Sequence, residues 1–278
     1  MGLELQDEAL GFGDIFKEPE GYFPPPKPPT FSEHRMLSGD TLSIRLVGSH
    51  PLYRQFRLTF SDLEGYLLWN AARTISDFLE DNASEWVEGK DILELGAGAG
   101  LPSIICAIMG AKIVVVTDYP DHDLIDNMQI NASTCEKFIK KQPSPLHVEG
   151  YKWGDPTGCI CRYLESPSEG FDVLILADVI YNHPQHHSLI NSVKMTLKRS
   201  KASVAFVVFT PYQPWLLEKI TAFFPKAEQS GFTVKKIFQK VMDKLLFEDD
   251  PGDEQLRRTV FGYELRWKEE ELDGQIPG

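Results

Sequence analysis

One stretch constrains the fold more than any other: residues 91–102 read DILELGAGAGLP. An apolar run typical of a strand breaks into glycine at every second position, at Gly96, Gly98 and Gly100, and an apolar run typical of a helix follows directly. Strand, glycine-rich turn and helix start together predict a backbone that approaches a ligand closely and directs free N–H groups at it. Dinucleotides, nucleoside phosphates and S-adenosylmethionine are all bound by such loops, so the stretch predicts an adenosine-type ligand and leaves the choice open.

Strands and helices alternate from residue 91 onward. The predicted strands are DILEL, KIVVVTD, LHVEGYKW, FDVLILAD and ASVAFVVFT, with predicted helices near 101–110, 122–137 and 185–198. The strands are nearly continuous in Ile, Val and Leu, as expected when helices cover both faces of a parallel sheet. A predicted helix over 214–232 is followed by TVKKIFQKVM, a polar loop and TVFGYELRWK, which predicts an antiparallel pair at the end of the sheet. The fold class is therefore α/β, with a Rossmann-like seven-stranded sheet and an antiparallel last strand.

The residues before this alternating region divide into two parts. Residues 1–36 are polar and rich in proline, which excludes a helix or a central strand and predicts an arm packed along the domain surface. DTLSIRLVGSHPLY and RQFRLTFSD alternate apolar and polar residues and predict a β-hairpin, and YLLWNAARTISDFLEDNASEWV has a helical period. We therefore expect a single domain over 37–278, in which 37–88 hold the hairpin and helix and 89–278 the core sheet.

Charge and composition exclude several classes of partner. The formal net charge of −13 argues against nucleic acid and suits a basic partner. The longest uncharged run is too short and too broken for a membrane span. The cysteines include no C-x-x-C pair, which predicts free thiols in a reducing compartment and a cytoplasmic location. His183, His186 and His187 have no Cys or carboxylate to complete a metal site, so we expect no metal and a helix there capped by Asn182.

Polar or small side chains end four predicted strands, and in an open parallel sheet ligands bind beyond those ends. Asp118 ends the second strand, 22 residues after the first loop glycine, where an acid accepts hydrogen bonds from ribose hydroxyls. Trp153 follows the third strand, where its ring can lie against an adenine. The fourth strand ends in ADVIYN, which brings Ala177, Asp178 and Tyr181 to the point where a transferred group would be delivered.

The spacing of the loop narrows the ligand. A dinucleotide loop, G-x-G-x-x-G, would need glycine where this chain has Leu101, and no Lys-Ser or Lys-Thr follows for a nucleoside triphosphate. The shorter G-x-G-x-G pattern, preceded by Glu94, is typical of S-adenosylmethionine-dependent methyltransferases.

Over nearly its whole length, the chain resembles the seven-β-strand protein lysine methyltransferase family. The motifs that carry this resemblance are PEGYFPPP, LVGSHPL, YLLWNAA, LELGAGAGLPSIICAIMGAKIVVVTDYPD, YKWGD and ADVIYNHPQH. The resemblance implies the class I methyltransferase sheet, with S-adenosyl-L-methionine as cofactor and S-adenosyl-L-homocysteine as product. It implies cofactor contacts from Trp69, Gly96, Ala97, Gly98, Asp118, Trp153 and Ala177. The D-x-x-Y motif of the family, implicated in substrate binding and activity, falls on Asp178 and Tyr181.

The resemblance is narrowest to fungal members that methylate the N-terminal glycine and adjacent lysine of translation elongation factor 1-alpha. The resemblance therefore implies that the chain is a monomeric enzyme and that its partner is elongation factor 1-alpha, a basic protein. Nicotinamide or another small amine, a different protein lysine, and a silent adenosyl-binding module stay open as alternatives, and a dehydrogenase is disfavoured by Leu101. The chain departs from the family pattern by carrying RQFRLTFSDLE, residues 54–64, before the LLWNA helix.

Methyl transfer from a sulfonium is an in-line displacement that needs a neutral nitrogen lone pair aligned with the methyl group. We expect Asp178 to attract and orient the amine, and Tyr181 with nearby aromatic rings to hold the methylated cation by cation–π contact.

Overall fold

The computed structural model describes residues 28–47, 68–247 and 251–272. Most of the predicted Pro-rich arm and the segment 54–64 lie outside the described residues, as does the predicted strand RQFRLTFSD.

The first described element is an antiparallel hairpin of strands β1 (Thr30–Arg35) and β2 (Thr41–Leu46). Gly39, with φ of 94°, supplies the left-handed residue of the connecting turn, in which the Met36 N–H donates to the Asp40 carbonyl. A hairpin is thus present, but TLSIRL pairs with TFSEHR on its N-terminal side. Residues 30–35 were predicted to belong to the arm, because the prolines that precede them dominate the sequence pattern.

The central sheet has seven strands in the order β5-β4-β3-β6-β7-β9-β8. They are β3 (Asp91–Leu95), β4 (Ile113–Asp118), β5 (Leu146–Gly150), β6 (Val173–Ala177), β7 (Val204–Phe209), β8 (Phe232–Val241) and β9 (Thr259–Trp267). Strands β3 to β7 are parallel, and β9 runs antiparallel to both of its neighbours. The predicted fold class, a seven-stranded sheet with an antiparallel last strand, is confirmed.

Helices cover both faces of this sheet. They are α1 (Asn70–Asp81), α2 (Ala83–Trp86), α3 (Leu101–Ile108), α4 (His122–Cys135), α5 (Gly158–Cys161), α6 (His186–Thr196), α7 (Leu217–Thr221), α8 (Phe223–Gln229), α9 (Glu254–Arg258) and α10 (Glu269–Leu272). The single helix predicted over 214–232 is instead a 3₁₀ turn followed by α7 and α8. Pro225 explains the break, because it has no N–H to donate to the carbonyl of Thr221 one turn earlier.

The core consists of two layers, one on each face, because successive strand residues point to opposite sides. On one face Leu93, Leu174 and Val207 pack with α6 and α8, and on the other Ile92 and Val173 pack with α1 and α3. A third cluster joins the hairpin to helices α1, α3 and α4. No helix among the described residues is long and apolar enough to cross a membrane.

Candidate active site

A cavity of about 380 Å³ opens beyond the carboxyl ends of the central parallel strands. A volume of this size is within the range that small-molecule sites show in proteins. All nine residues predicted for the site line it: Trp69, Gly96, Ala97, Gly98, Asp118, Trp153, Ala177, Asp178 and Tyr181. They come from five separate segments of the chain, which the sheet topology brings to one place.

The glycine loop approaches the cavity closely, but its N–H groups are largely used within the protein. Gly96 and Ala97 both donate to the Thr117 carbonyl, at 2.9 Å each, and Gly98 donates to Asp118 at 2.7 Å. The prediction that the loop directs free N–H groups at a ligand is therefore wrong for these three donors. The cause is the end of β4, which lies alongside the loop and supplies the acceptors.

At the start of α3, Pro102 and Ser103 offer no free backbone N–H to an anion. Pro102 has no N–H, and the backbone N–H and hydroxyl of Ser103 donate to the buried carboxyl of Glu94, at 3.0 and 2.5 Å. Burial raises the pKa of Glu94 to about 8, against the lowering effect of the Ser103 hydrogen bonds. Glu94 thus takes the place where a phosphate would otherwise bind a helix N-terminus, so the donor set fits a ligand without phosphate.

The approach of the loop depends on glycine at position 96. Gly96 has φ of 74°, and a Cβ there would lie 2.7 Å from Val179 Cγ1 and 2.9 Å from Trp153 Cζ2. The half-buried indole of Trp153 therefore lies directly against the loop and forms one wall of the cavity.

Asp118 anchors the loop as well as lining the cavity. One carboxylate oxygen accepts from the Gly98 N–H at 2.7 Å and the other from the Tyr119 N–H at 2.6 Å. A carboxylate offers about four acceptor positions, so ribose hydroxyls can share these oxygens.

Asp178 also lines the cavity and has an unusual backbone conformation, with φ of 51°, which is uncommon for a residue other than glycine. Its carboxylate accepts from the N–H groups of Thr210 at 2.8 Å and Ala71 at 3.2 Å, and from the Tyr212 hydroxyl. Because Ala71 lies in the first turn of α1, Asp178 caps that helix from another part of the chain. Burial raises the pKa of Asp178 to about 7, while these three donors act in the opposite direction.

Tyr181 lies three residues further on, and its side chain is 42% exposed at the cavity. The next residue, Asn182, lines the cavity and makes no side-chain cap to the helical turn that follows, so the predicted cap is wrong. The imidazole of His186 is buried 2.7 Å from the Ile180 carbonyl and packs edge-on against Phe223. Within the described parts of the chain, no group of three or more His, Cys, Asp or Glu side chains is arranged to hold a metal ion.

Two features of the site were missed by sequence reasoning. The first is an aromatic cluster of Trp69, Tyr212 and Phe247, whose ring centroids lie 5.1 to 5.7 Å apart in edge-on pairs. Tyr212 follows the fifth parallel strand, so the rule applied to the other four strand ends would have pointed to it. The position of Phe247, in a loop after β8, gives no comparable signal.

The second is the contribution of the N-terminal hairpin, whose Leu46 and Val47 line the cavity. Asn131 on α4 holds β2 there: its side-chain oxygen accepts from the Arg45 N–H, and its nitrogen donates to the Arg45 carbonyl, both at 2.8 Å. The same nitrogen donates to the Ala99 carbonyl in the glycine loop at 3.0 Å. One buried amide thus joins the hairpin to the loop as a neighbouring strand would.

Comparison with known proteins agrees with this arrangement. A family model described as "Lysine methyltransferase" matches residues 59–223. The protein N-terminal and lysine N-methyltransferase efm7 of Aspergillus fumigatus is 58% identical to the chain, over 96% of the chain and 99% of that relative. The protein of the same name from Schizosaccharomyces pombe is 37% identical, over 92% and 95% of the two chains.

Solved structures share the fold at low sequence identity. One, provisionally described as a SAM-dependent methyltransferase from Streptococcus mutans, has a TM-score of 0.51 at 12% identity and covers 86% of this chain and 56% of its own. Another, provisionally described as a transferase from Pyrococcus horikoshii, has a TM-score of 0.50 at 11% identity, with coverages of 86% and 73%. They support the architecture of the sheet and its helices.

Proposed function

The chain belongs to the lysine methyltransferase family, and from that membership we propose that it methylates protein amines, at an amino terminus and at lysine, using S-adenosylmethionine. The observation that carries the proposal is the convergence of the glycine loop, Asp118 and the Asp178/Tyr181 pair on one cavity.

The residues present fit S-adenosylmethionine better than the other adenosine ligands. Its sulfonium supplies an electrophilic methyl group, and it has no phosphate, which matches a loop whose N–H groups are already used. Asp118 is placed to accept from ribose hydroxyls, and Trp153 and Trp69 offer apolar walls for the rest of the molecule. The carboxylates of Asp118 and Asp178, which both line the cavity, favour a cationic ligand.

The acceptor amine has to arrive neutral, because a protonated nitrogen has no lone pair to donate. An α-amine with a pKa near 8 loses its proton at pH ~7.4 for about 1 kcal/mol or less, whereas a lysine near 10.4 costs about 4 kcal/mol. The amino terminus is therefore the easier acceptor. A carboxylate beside an amine raises the pKa of that amine, so Asp178 acts in binding and orienting it and not as a strong base.

The substrate we propose is translation elongation factor 1-alpha, methylated at its N-terminal glycine and adjacent lysine in the cytoplasm. A basic protein suits a chain with a net charge of −13. The names of the two relatives above, which specify protein N-terminal and lysine methylation, support the class of acceptor.

The test is a transfer assay with labelled S-adenosylmethionine and a peptide from the amino terminus of elongation factor 1-alpha, read by mass spectrometry. Matched peptides carry an acetylated α-amine or a Lys→Arg change, and nicotinamide serves as the small-molecule acceptor. We expect label on the free α-amine and on the lysine, and loss of the corresponding label from each matched peptide. Label on nicotinamide alone, or on neither acceptor, contradicts the proposal.

The role of Asp178 is tested in the same assay. Asp178→Ala should abolish transfer while the affinity for S-adenosylhomocysteine changes little, because the proposal assigns Asp178 to the acceptor amine and not to the cofactor. Transfer at the wild-type rate would contradict this role.

A further inference from the structure

Tyr212 lies at a junction of three segments: the loop after β7, the start of α1 and the turn that holds Asp178. Its hydroxyl accepts from the Asn70 N–H at 3.2 Å, which leaves its own proton to donate to Asp178. Its ring meets that of Trp69 edge-on, with centroids 5.1 Å apart. One side chain therefore contacts both Trp69 and Asp178, two residues that line the same cavity.

We propose that Tyr212 is a positioning residue for methyl transfer, whose hydroxyl holds the Asp178 carboxylate in place while its ring supports Trp69. The inference rests on the proposed function for the role of Asp178, but the hydrogen-bonded junction on which it depends is independent of the substrate.

The hydroxyl matters because the environment of Asp178 disfavours charge. Burial raises the pKa of this carboxyl, and among the described residues the donors from Thr210, Ala71 and Tyr212 act against that effect. The two backbone N–H groups are fixed by the fold, whereas Tyr212 donates from a side chain. Removing it takes a charge-assisted hydrogen bond from the ionised form alone, which raises the pKa of Asp178 further.

The other titratable groups near Asp178 do not depend on this hydroxyl. Tyr181 and Asp118 lie on the cavity wall, and Glu94 on the neighbouring strand β3 is hydrogen-bonded to Ser103. The first turn of α1 has no acidic residue, and Arg73 on that helix is directed to the hairpin, where it donates to the Glu33 carbonyl. Burial and the charges of Asp118 and Asp178 raise the pKa of Tyr181, so this phenol stays protonated at and around neutral pH.

The experiment compares wild type with Tyr212→Phe, which keeps the ring and loses the hydroxyl. In full-length protein labelled with ¹³C at aspartate carboxyls, the Asp178 resonance is identified by its absence in Asp178→Asn, and its titration is followed by NMR. We expect the pKa of Asp178 to be higher in Tyr212→Phe. An unchanged pKa overturns the inference, and this result does not require any substrate to be known.

The kinetic measurement is kcat/KM for the peptide from about pH 6 to about pH 9. At the acid end, kcat/KM of Tyr212→Phe should be about one-tenth of the wild-type value or less, which is the loss expected for a hydrogen bond to a charged group. This ratio should rise with pH, because Asp178 of the variant becomes ionised again at higher pH. Affinity for S-adenosylhomocysteine should change by less than about threefold, because the ring contact with Trp69 is kept. A ratio that does not vary with pH indicates a merely structural tyrosine and overturns the inference.

Two further variants control for loss of packing. Tyr212→Leu removes ring and hydroxyl together and should weaken cofactor binding as well. In an Asp178→Asn background, Tyr212→Phe should cause little additional loss of stability in urea unfolding, because the hydroxyl then has no carboxylate to hold. Additive losses overturn the inference, whereas absence of transfer by wild type counts against the proposed function and leaves the NMR result to decide the junction.

Discussion

Replacing Gly96 with alanine should weaken cofactor binding far more than the same change at Gly100, although both glycines have nearly the same backbone conformation. Their φ angles are 74° and 77°, so alanine at either position incurs a left-handed strain of about 1–2 kcal/mol. The new Cβ at Gly96 lies 2.7 Å from Val179 Cγ1 and 2.9 Å from Trp153 Cζ2, whereas at Gly100 the nearest atom, Val116 Cγ2, is 3.4 Å away.

The difference between the two variants therefore isolates the collision. Carbon atoms pack best at about 3.5–4.0 Å, so Gly96→Ala has to displace the side chains of Val179 and Trp153 or the loop itself, at an overpacking cost of about 1–3 kcal/mol. If that displacement opens the cofactor wall, the Kd for S-adenosylhomocysteine rises about tenfold for each 1.4 kcal/mol. We expect a rise of about tenfold or more in Gly96→Ala and less than about threefold in Gly100→Ala.

Isothermal titration calorimetry gives the two Kd values, and urea unfolding gives the two losses of stability. Gly39→Ala, in the open turn of the hairpin with φ of 94° and no atom near the added Cβ, reports the cost of strain alone. Equal Kd values in the Gly96 and Gly100 variants would refute the argument from the contact with Trp153.

Three further predictions follow from hydrogen bonds of the site. Asp118→Asn should weaken S-adenosylhomocysteine binding at least tenfold by calorimetry, since an amide nitrogen cannot accept from the loop N–H groups; unchanged affinity would contradict it. Asn131→Ala should weaken binding and speed hydrogen exchange in residues 41–46, whereas Ser133→Ala, on the same helix but bonded only within it, should change neither. Glu94 has its pKa raised from 4.5 to about 8, so the folded state keeps a proton that the unfolded state loses. The free energy of unfolding should therefore fall by up to about 1.4 kcal/mol for each unit by which the pH rises between those two values. Glu94→Gln should remove this pH dependence, which urea unfolding at about pH 5.5 and 7.5 measures.

The order of strands and helices could be predicted from the sequence because each element carries its own period. DILEL and FDVLILAD are apolar on both faces, as the buried strands β3 and β6 require. The break at Pro225 could also have been predicted from the missing N–H. The pairing of β1 with β2 could not, because the burial that selects a partner strand comes from helices α1, α3 and α4, which lie far along the chain.

Part of the candidate site could likewise be predicted from the sequence, and part could not. Asp118 and Asp178 could be located because parallel strands bring their carboxyl ends to one edge. Their hydrogen-bond partners could not be predicted, since the N–H groups of Gly98 and Ala71 reach those carboxylates only after the loop and α1 are packed. The prediction of free N–H groups in the loop was wrong for Gly96, Ala97 and Gly98 for the same reason: their acceptors at the end of β4 come next to the loop only after packing.

The bond network of Asn131 also has a consequence for synthesis at the ribosome. The hairpin precedes its amide by 86 residues, so the Arg45 N–H and carbonyl leave the ribosome long before the side chain that pairs with them. Until α4 has been made, those two groups have to form hydrogen bonds with water instead of with Asn131, and α4 does not yet cover the apolar side of β2. The wall formed by Leu46 and Val47 is therefore translated well before the helix that fixes it in place.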